Sequence, residues 1–235
     1  MQRPYEGDGA DATCGVPMRI GGDATAARRG AGRKATCGGP TRGGAESEGT
    51  MSLIAGNLGV VQRTLDASGM RWAICAGAAA HLYGNRRPIQ DVDLLVANGM
   101  LPEVVRLLSV QQKVVQFDGQ RILWRGIKVF DDLTIRKGGQ QHPFLLDDLA
   151  FGRLQRMPLL GAPVQVLAPE DIVIHKIVLG RGAEQGKHDL MDAAGIVRRR
   201  QLDADYVQQR IVAMRAGPEV AAKIAELERA QAGPG

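Results

Sequence analysis

The chain has 235 residues, enough for one medium domain or two small ones. Its 30 Lys and Arg against 25 Asp and Glu leave a net charge of +5, which permits a phosphate-rich partner without demanding one. Three cysteines, with no Cys-His cluster at zinc spacing, argue against a disulfide framework or a structural zinc, and no apolar run reaches the roughly 20 residues that span a bilayer. A cytoplasmic protein of a reducing compartment, with no membrane contact, is the expectation.

The first fifty residues hold 12 of the 31 glycines and no Leu, Phe or Trp. Such a segment buries too little apolar surface to offset its ordering entropy, so residues 1–50 are expected to form a disordered tail. Periodic sequence starts after Met51, which offers an alternative translation start. Leu53, Ile54, Leu58, Val61 and Leu65 predict a helix over 52–68 with Gly69 as its stop. Next come a short apolar strand ending near Cys75, a turn at Gly77-Ala78, and a helix from Ala78 to Tyr83. A second strand carries Asp91 and Asp93 and runs on to Val96. A helix over 101–112 follows, then strands over 113–117 and 121–124 about the Asp118-Gly119 turn, and a third strand over 126–135. Residues 145–157 read as helical and 163–167 as a strand. Ala168-Pro-Glu-Asp171 opens a helix, with Pro169 in its first turn and Glu170 and Asp171 at its positive end. Further helices reach the C-terminus, interrupted near 182–186 and at Gly217-Pro218. A small mixed sheet flanked by helices and followed by a helical region is α+β, with a core over 51–168 and a C-terminal helical region over 169–235.

Asp is depleted in strands, so two in alternation within Asp91-Val-Asp-Leu-Leu-Val96 need a cause. Residues two apart on a strand point to the same face, about 7 Å apart, and two such carboxylates repel unless a positive charge sits between them. A hard divalent cation such as Mg²⁺ or Mn²⁺ is one such charge, whereas an edge strand in water is the plainer cause. Upstream, Gly77 permits close approach of a phosphate to backbone N–H groups, and the helix start presents its positive end there. Arg86 and Arg87 precede the pair; they clamp phosphate or face solvent. Arg198-Arg199-Arg200 reads either as a nucleic-acid contact or as a solvated helix end. The four histidines show no ligand spacing.

Small-Gly-small, about a dozen residues, then Asp-hydrophobic-Asp-hydrophobic resembles the signature of the DNA polymerase β-type nucleotidyltransferase superfamily. One departure is Ala78, where that family usually has Gly or Ser. The resemblance implies Asp91 and Asp93 as metal ligands, with Gly77 and Ala78 at the phosphates of a nucleoside triphosphate. It also implies a third carboxylate on the strand after Gly126, where this chain offers Asp131 and Asp132. Asp131 shares a face with Ile127 and Val129 and, as a lone carboxylate on an apolar face, needs a partner. Asp132 shares the other face with Lys128 and Phe130. Ala168-Pro-Glu-Asp-Ile-Val-Ile-His-Lys-Ile-Val-Leu179 and Gly186-Lys-His-Asp-Leu-Met-Asp192 resemble segments of the AbiEii-type toxin branch. By that resemblance Lys176 is a phosphate ligand. Its ammonium, on an apolar helix, needs an anion: a triphosphate, Asp189 or Asp192, unless it snorkels to solvent. Asp189 and Asp192 share a helix face, where they orient Lys176, hold Lys187 or are solvated. The function so implied is Mg²⁺-dependent transfer of a nucleoside monophosphate to a tRNA end, a protein hydroxyl or a small molecule. An antitoxin protein would then be a partner. The alternative is a catalytically inactive nucleotide-binding or interaction module with the same fold.

Overall fold

The structure is a computed structural model that describes residues 43–85, 87–110 and 115–232. Helix α1 (Gly43–Ala67) leads into strand β1 (Trp72–Cys75), helix α2 (Ala76–Leu82), strand β2 (Val92–Val96) and helix α3 (Leu101–Ser109). Strands β3 (Gln116–Phe117), β4 (Ile122–Trp124) and β5 (Ile127–Phe130) form a meander, and β6 (Ile135–Lys137) with β7 (Gln140–His142) makes a separate hairpin. After the one-turn helix α4 (Asp148–Phe151) come β8 (Gln155–Leu159) and β9 (Ala162–Val166). Helices α5 (Pro169–Leu179), α6 (Asp189–Val197), α7 (Ala204–Ala213) and α8 (Pro218–Ala232) complete the chain. The fold is α+β, as the pattern of the sequence predicts.

Among the described residues seven strands form one mixed sheet in the order β3-β4-β5-β2-β1-β9-β8. Strand β2 runs antiparallel to β1 and parallel to β5, with Asp93 opposite Cys75 on one side and opposite Lys128 on the other. Paired residues share a face, so Val92, Leu94, Ile127, Val129, Ile122 and Trp124 form one apolar layer, all buried. The opposite row of Leu123, Lys128 and Asp93 stays partly exposed. Helix α1 buries Ile54, Leu58, Val61 and Leu65, spaced by four, three and four residues. Burial of such a side chain is worth about 1.5–3 kcal/mol. The β4–β5 turn docks on α1: the Asn57 amide donates to the Arg125 carbonyl at 3.0 Å, and a Cβ on Gly126 would stand 2.8 Å from Ile54 Cγ1. Arg125 and Gly126 have φ of 51° and 84°, the conformation of a two-residue hairpin turn that keeps Trp124 opposite Ile127.

Three expectations are corrected. The strand over 126–135 ends at Phe130, and Ile135 begins a different hairpin with its own two-residue turn. The helix over 145–157 shrinks to α4, because residues 155–159 pair with β9 across the Leu160-Gly161 turn, whose φ values of 48° and 82° suit a tight hairpin. Helix α1 already begins at Gly43, ahead of Met51. The tail over 1–42, the strand start at 113–114 and the helix end at 111–112 lie outside the described residues. Among the described residues no helix is long and apolar enough to cross a membrane.

Candidate functional site

Asp93 sits near the start of β2 and Asp91 two residues before it, both partly exposed. The antiparallel register that sets Asp93 against Cys75, the last residue of β1, places the β1–α2 turn that begins at Ala76 alongside the acid pair on the neighbouring strand. Residues on paired strands lie about 5 Å apart, so turn and carboxylates lie side by side at one end of the β1–β2 pair. In that turn the strained position is Ala76 (φ 52°) rather than Gly77. A Cβ on Gly77 would meet no protein atom within 4 Å, so only open space borders this backbone. Ala78 is buried, and the start of α2 has no side-chain cap on its free N–H groups.

Across the sheet, Lys128 ion-pairs with Asp91 and stands opposite Asp93. Burial, then the Asp91 charge, push the Asp93 carboxyl up to about 6, against the opposing effect of Lys128, Lys176 and Lys187. Burial works against the charge on Lys128, yet Asp91 and Asp93 hold its ammonium above the usual lysine range. Beside it a cavity of about 340 Å³ is lined by Gln116, Leu123, Trp124, Gly126 and Lys128. The larger cavity, about 480 Å³ between α1 and α3, touches none of these residues.

Neither Asp131 nor Asp132 joins the pair. Asp131 accepts from the Gly99 N–H at 2.9 Å, in the turn that follows the far end of β2. From Asp93 to Val96 alone is about 10 Å of strand. Asp132 accepts from the Thr134 N–H at 2.6 Å, a local turn at the end of β5. With β5 ending at Phe130, the alternation that would aim either acid at the Asp91 and Asp93 face stops before reaching them.

Lys176 is buried and donates to Asp189 Oδ1 at 2.8 Å, with Asp192 Oδ2 also at 2.8 Å. Asp189 further accepts from Arg181 Nε at 2.8 Å, and Asp192 from Asn85 and from Arg87 at 2.8 and 3.2 Å. Of the sequence readings, pairing within the core is what the structure adopts. In the structure the charges of Lys176, Arg87 and Asp189 are matched by groups of the protein itself. Buried ions require such partners. The cluster ties α5 and α6 to the loop that carries Asn85 and Arg87 toward Asp91. Arg199 donates to the Gly195 carbonyl and Arg200 lies over the Tyr83 ring, which gives two of the three consecutive arginines partners within the chain. His175 stacks on Phe144 at 4.1 Å, and burial lowers its pKa to about 3, so it stays neutral.

Sequence reasoning missed Lys128. Its signal is a lysine inside Ile127-Lys-Val-Phe130, on the face opposite the apolar layer. Two hard carboxylates on a half-open face fit one divalent cation, for which Mg²⁺ commonly needs one or two carboxylates. Among the described residues no three His, Cys, Asp or Glu groups converge on a metal position, so no third protein carboxylate joins the pair.

No family model and no curated protein sequence matches the chain. Solved structures similar to it include the following three. An antigenic nucleotidyltransferase-like protein from Paracoccidioides brasiliensis aligns at 17% identity and a TM-score of 0.37, over 74% of this chain and 92% of that one. The antibiotic-resistance factor ANT(2'')-Ia in solution aligns at 14% and 0.41, over 75% and 89%. A crystal structure of ANT(2")-Ia with adenylyl-2"-tobramycin aligns at 11% and 0.42, over 75% and 97%.

Proposed function

We propose that the chain is a nucleotidyltransferase that uses a nucleoside triphosphate and Mg²⁺ or Mn²⁺. One observation carries this reading: the register of Asp93 against Cys75, which brings a partly exposed acid pair and a strand-to-helix turn without a side-chain cap side by side. Asp91 and Asp93 hold the cation, which when bound neutralises charge on the triphosphate. The N–H groups of Gly77 and Ala78 face the phosphates, and the buried Lys176 cluster keeps the loop before Asp91 in place. In the reaction the acceptor oxygen bonds to the α-phosphorus, the bridging bond to the β-phosphate breaks, pyrophosphate leaves with that electron pair, and the acceptor proton passes to water. Positioning and charge neutralisation suffice for such a transfer. The segments of α5 and α6 that resemble the AbiEii-type branch favour a toxin role, with a tRNA end or a protein hydroxyl as acceptor and an antitoxin as partner. A small-molecule acceptor is the other option.

A second reading, an inactive nucleotide-binding module, is favoured by a cleft with two carboxylates rather than three. Incubating the full chain with α-labelled nucleotides, Mg²⁺ and total tRNA or protein separates the two. Label entering one acceptor class supports transfer. Nucleotide binding without incorporation into any acceptor leaves the binding module.

A further inference from the structure

We propose that Lys128 is the fixed second positive charge of this site, so that the chain takes one divalent cation where a three-carboxylate site takes two. The inference rests on the reading of the cleft as a cation and triphosphate site. Lys128 ion-pairs with Asp91 and stands opposite Asp93 in the β2–β5 register, close enough for its charge to favour the Asp93 carboxylate. The acids that would hold a second ion are engaged elsewhere: Asp131 by the Gly99 N–H and Asp132 by the Thr134 N–H. Leu123 flanks Lys128 on the other side in the same row, and no carboxylate borders it from β4.

The charge balance points the same way. Two carboxylates and one ammonium leave one net negative charge, which a single divalent ion over-neutralises. A second such ion would join an ammonium and a cation already present, with no new anion from the protein. A lysine at this position is therefore an alternative to a second ion: it neutralises the acid pair without a ligand shell of its own. It also competes with the incoming cation for Asp91, since one oxygen cannot serve both equally.

The test is Mn²⁺ binding to the full chain, followed by electron paramagnetic resonance and calorimetry, with and without a non-hydrolysable nucleotide analogue. The expected result is one ion per chain in both conditions. In Lys128→Met, which keeps the stem and removes the charge, Mn²⁺ affinity without nucleotide should rise roughly tenfold, the size of effect a neighbouring unit charge exerts near a protein surface. Lys128→Arg retains the charge and should bind as the unaltered chain does, which guards against a folding defect in the first variant. Two ions per unaltered chain, or unchanged affinity in a folded Lys128→Met, would overturn the role of Lys128 while leaving the nucleotidyltransferase reading standing. No Mn²⁺ binding in any condition would overturn both.

Discussion

Two of the carboxylate pairs in this molecule are treated in opposite ways. Asp189 and Asp192 are buried, and each is held by Lys176 and by an arginine. Burial raises the Asp189 pKa less than Arg181 and Lys176 lower it, so its carboxyl stays below the usual range. Asp91 and Asp93 are partly exposed, with Lys128 paired to Asp91, and Asp93 is pushed up to about 6 by burial and by the Asp91 charge. The first group is matched by the protein itself and so stabilises the arrangement of α5, α6 and the loop before β2. The second is under-matched, which costs stability. Under-compensated charge on an open face is what a ligand site requires, and compensated charge in the core is what holds that site in shape.

The contrast breaks most visibly at Lys176. Lys176→Met keeps the aliphatic stem and removes the charge that both buried aspartates share. Removing one partner of a buried pair costs about 3–5 kcal/mol, and urea unfolding should show a loss in that range. Nucleotide affinity, read on the folded fraction, should change little. A loss below about 1 kcal/mol would mean that Arg181 and Arg87 suffice for the two acids, and that the cluster is no clamp.

Asp93→Asn should act in the other direction. Folded Asp93 keeps its proton up to about 6, whereas in the unfolded chain it releases it near 3.8. Between those values the folded state binds more protons, so stability falls as pH rises through the window, and the cost is fully present above it. Asparagine removes the cost. In metal-free buffer at pH 7 the variant should gain on the order of 1–2 kcal/mol, and the slope of stability against pH between 4 and 6 should flatten. Part of the slope remains, because burial also pushes Asp171 up to about 6. Mn²⁺ binding should be lost. Asp189 has the opposite sign: its depressed carboxyl contributes stability that disappears only as pH falls below 3.8.

How much of this was legible beforehand follows from range. Local signals, such as the apolar stripe of α1, the Asp118-Gly119 turn and the Pro-Glu-Asp start of α5, depend on neighbours in sequence, and the structure contains each of them. Strand β8 was misread because its strandedness comes from β9, although Leu160-Gly161 between two short apolar runs was available as a hairpin signal. The Gly138-Gly139 dipeptide likewise marked the β6–β7 hairpin. At the site, the spacing of Asp91 and Asp93 was readable because a strand fixes it. The partners of Lys176 were narrowed to three anions, and only packing of α6 on α5 could select among them. Lys128 needed the parallel β2–β5 register, which no local pattern encodes.

The smallest expected effect is at Asp131, and it bears on the whole comparison. If Asp131 belongs to the turn after β2, Asp131→Ala removes one acceptor from the Gly99 N–H at a partly exposed position that water can replace. The loss should be about 0.5–1.5 kcal/mol, the net worth of an ordinary hydrogen bond, and Mn²⁺ affinity should not change. A resemblance to three-carboxylate enzymes makes the contrary forecast, in which the same variant lowers Mn²⁺ affinity tenfold or more with little change in stability. For that to happen the segment after Phe130 would have to release Gly99 and extend β5, which would bring a third acid beside Lys128. The under-matched pair would then be a matched trio, and the division between charge kept for structure and charge left for a ligand would move from between two regions to within one.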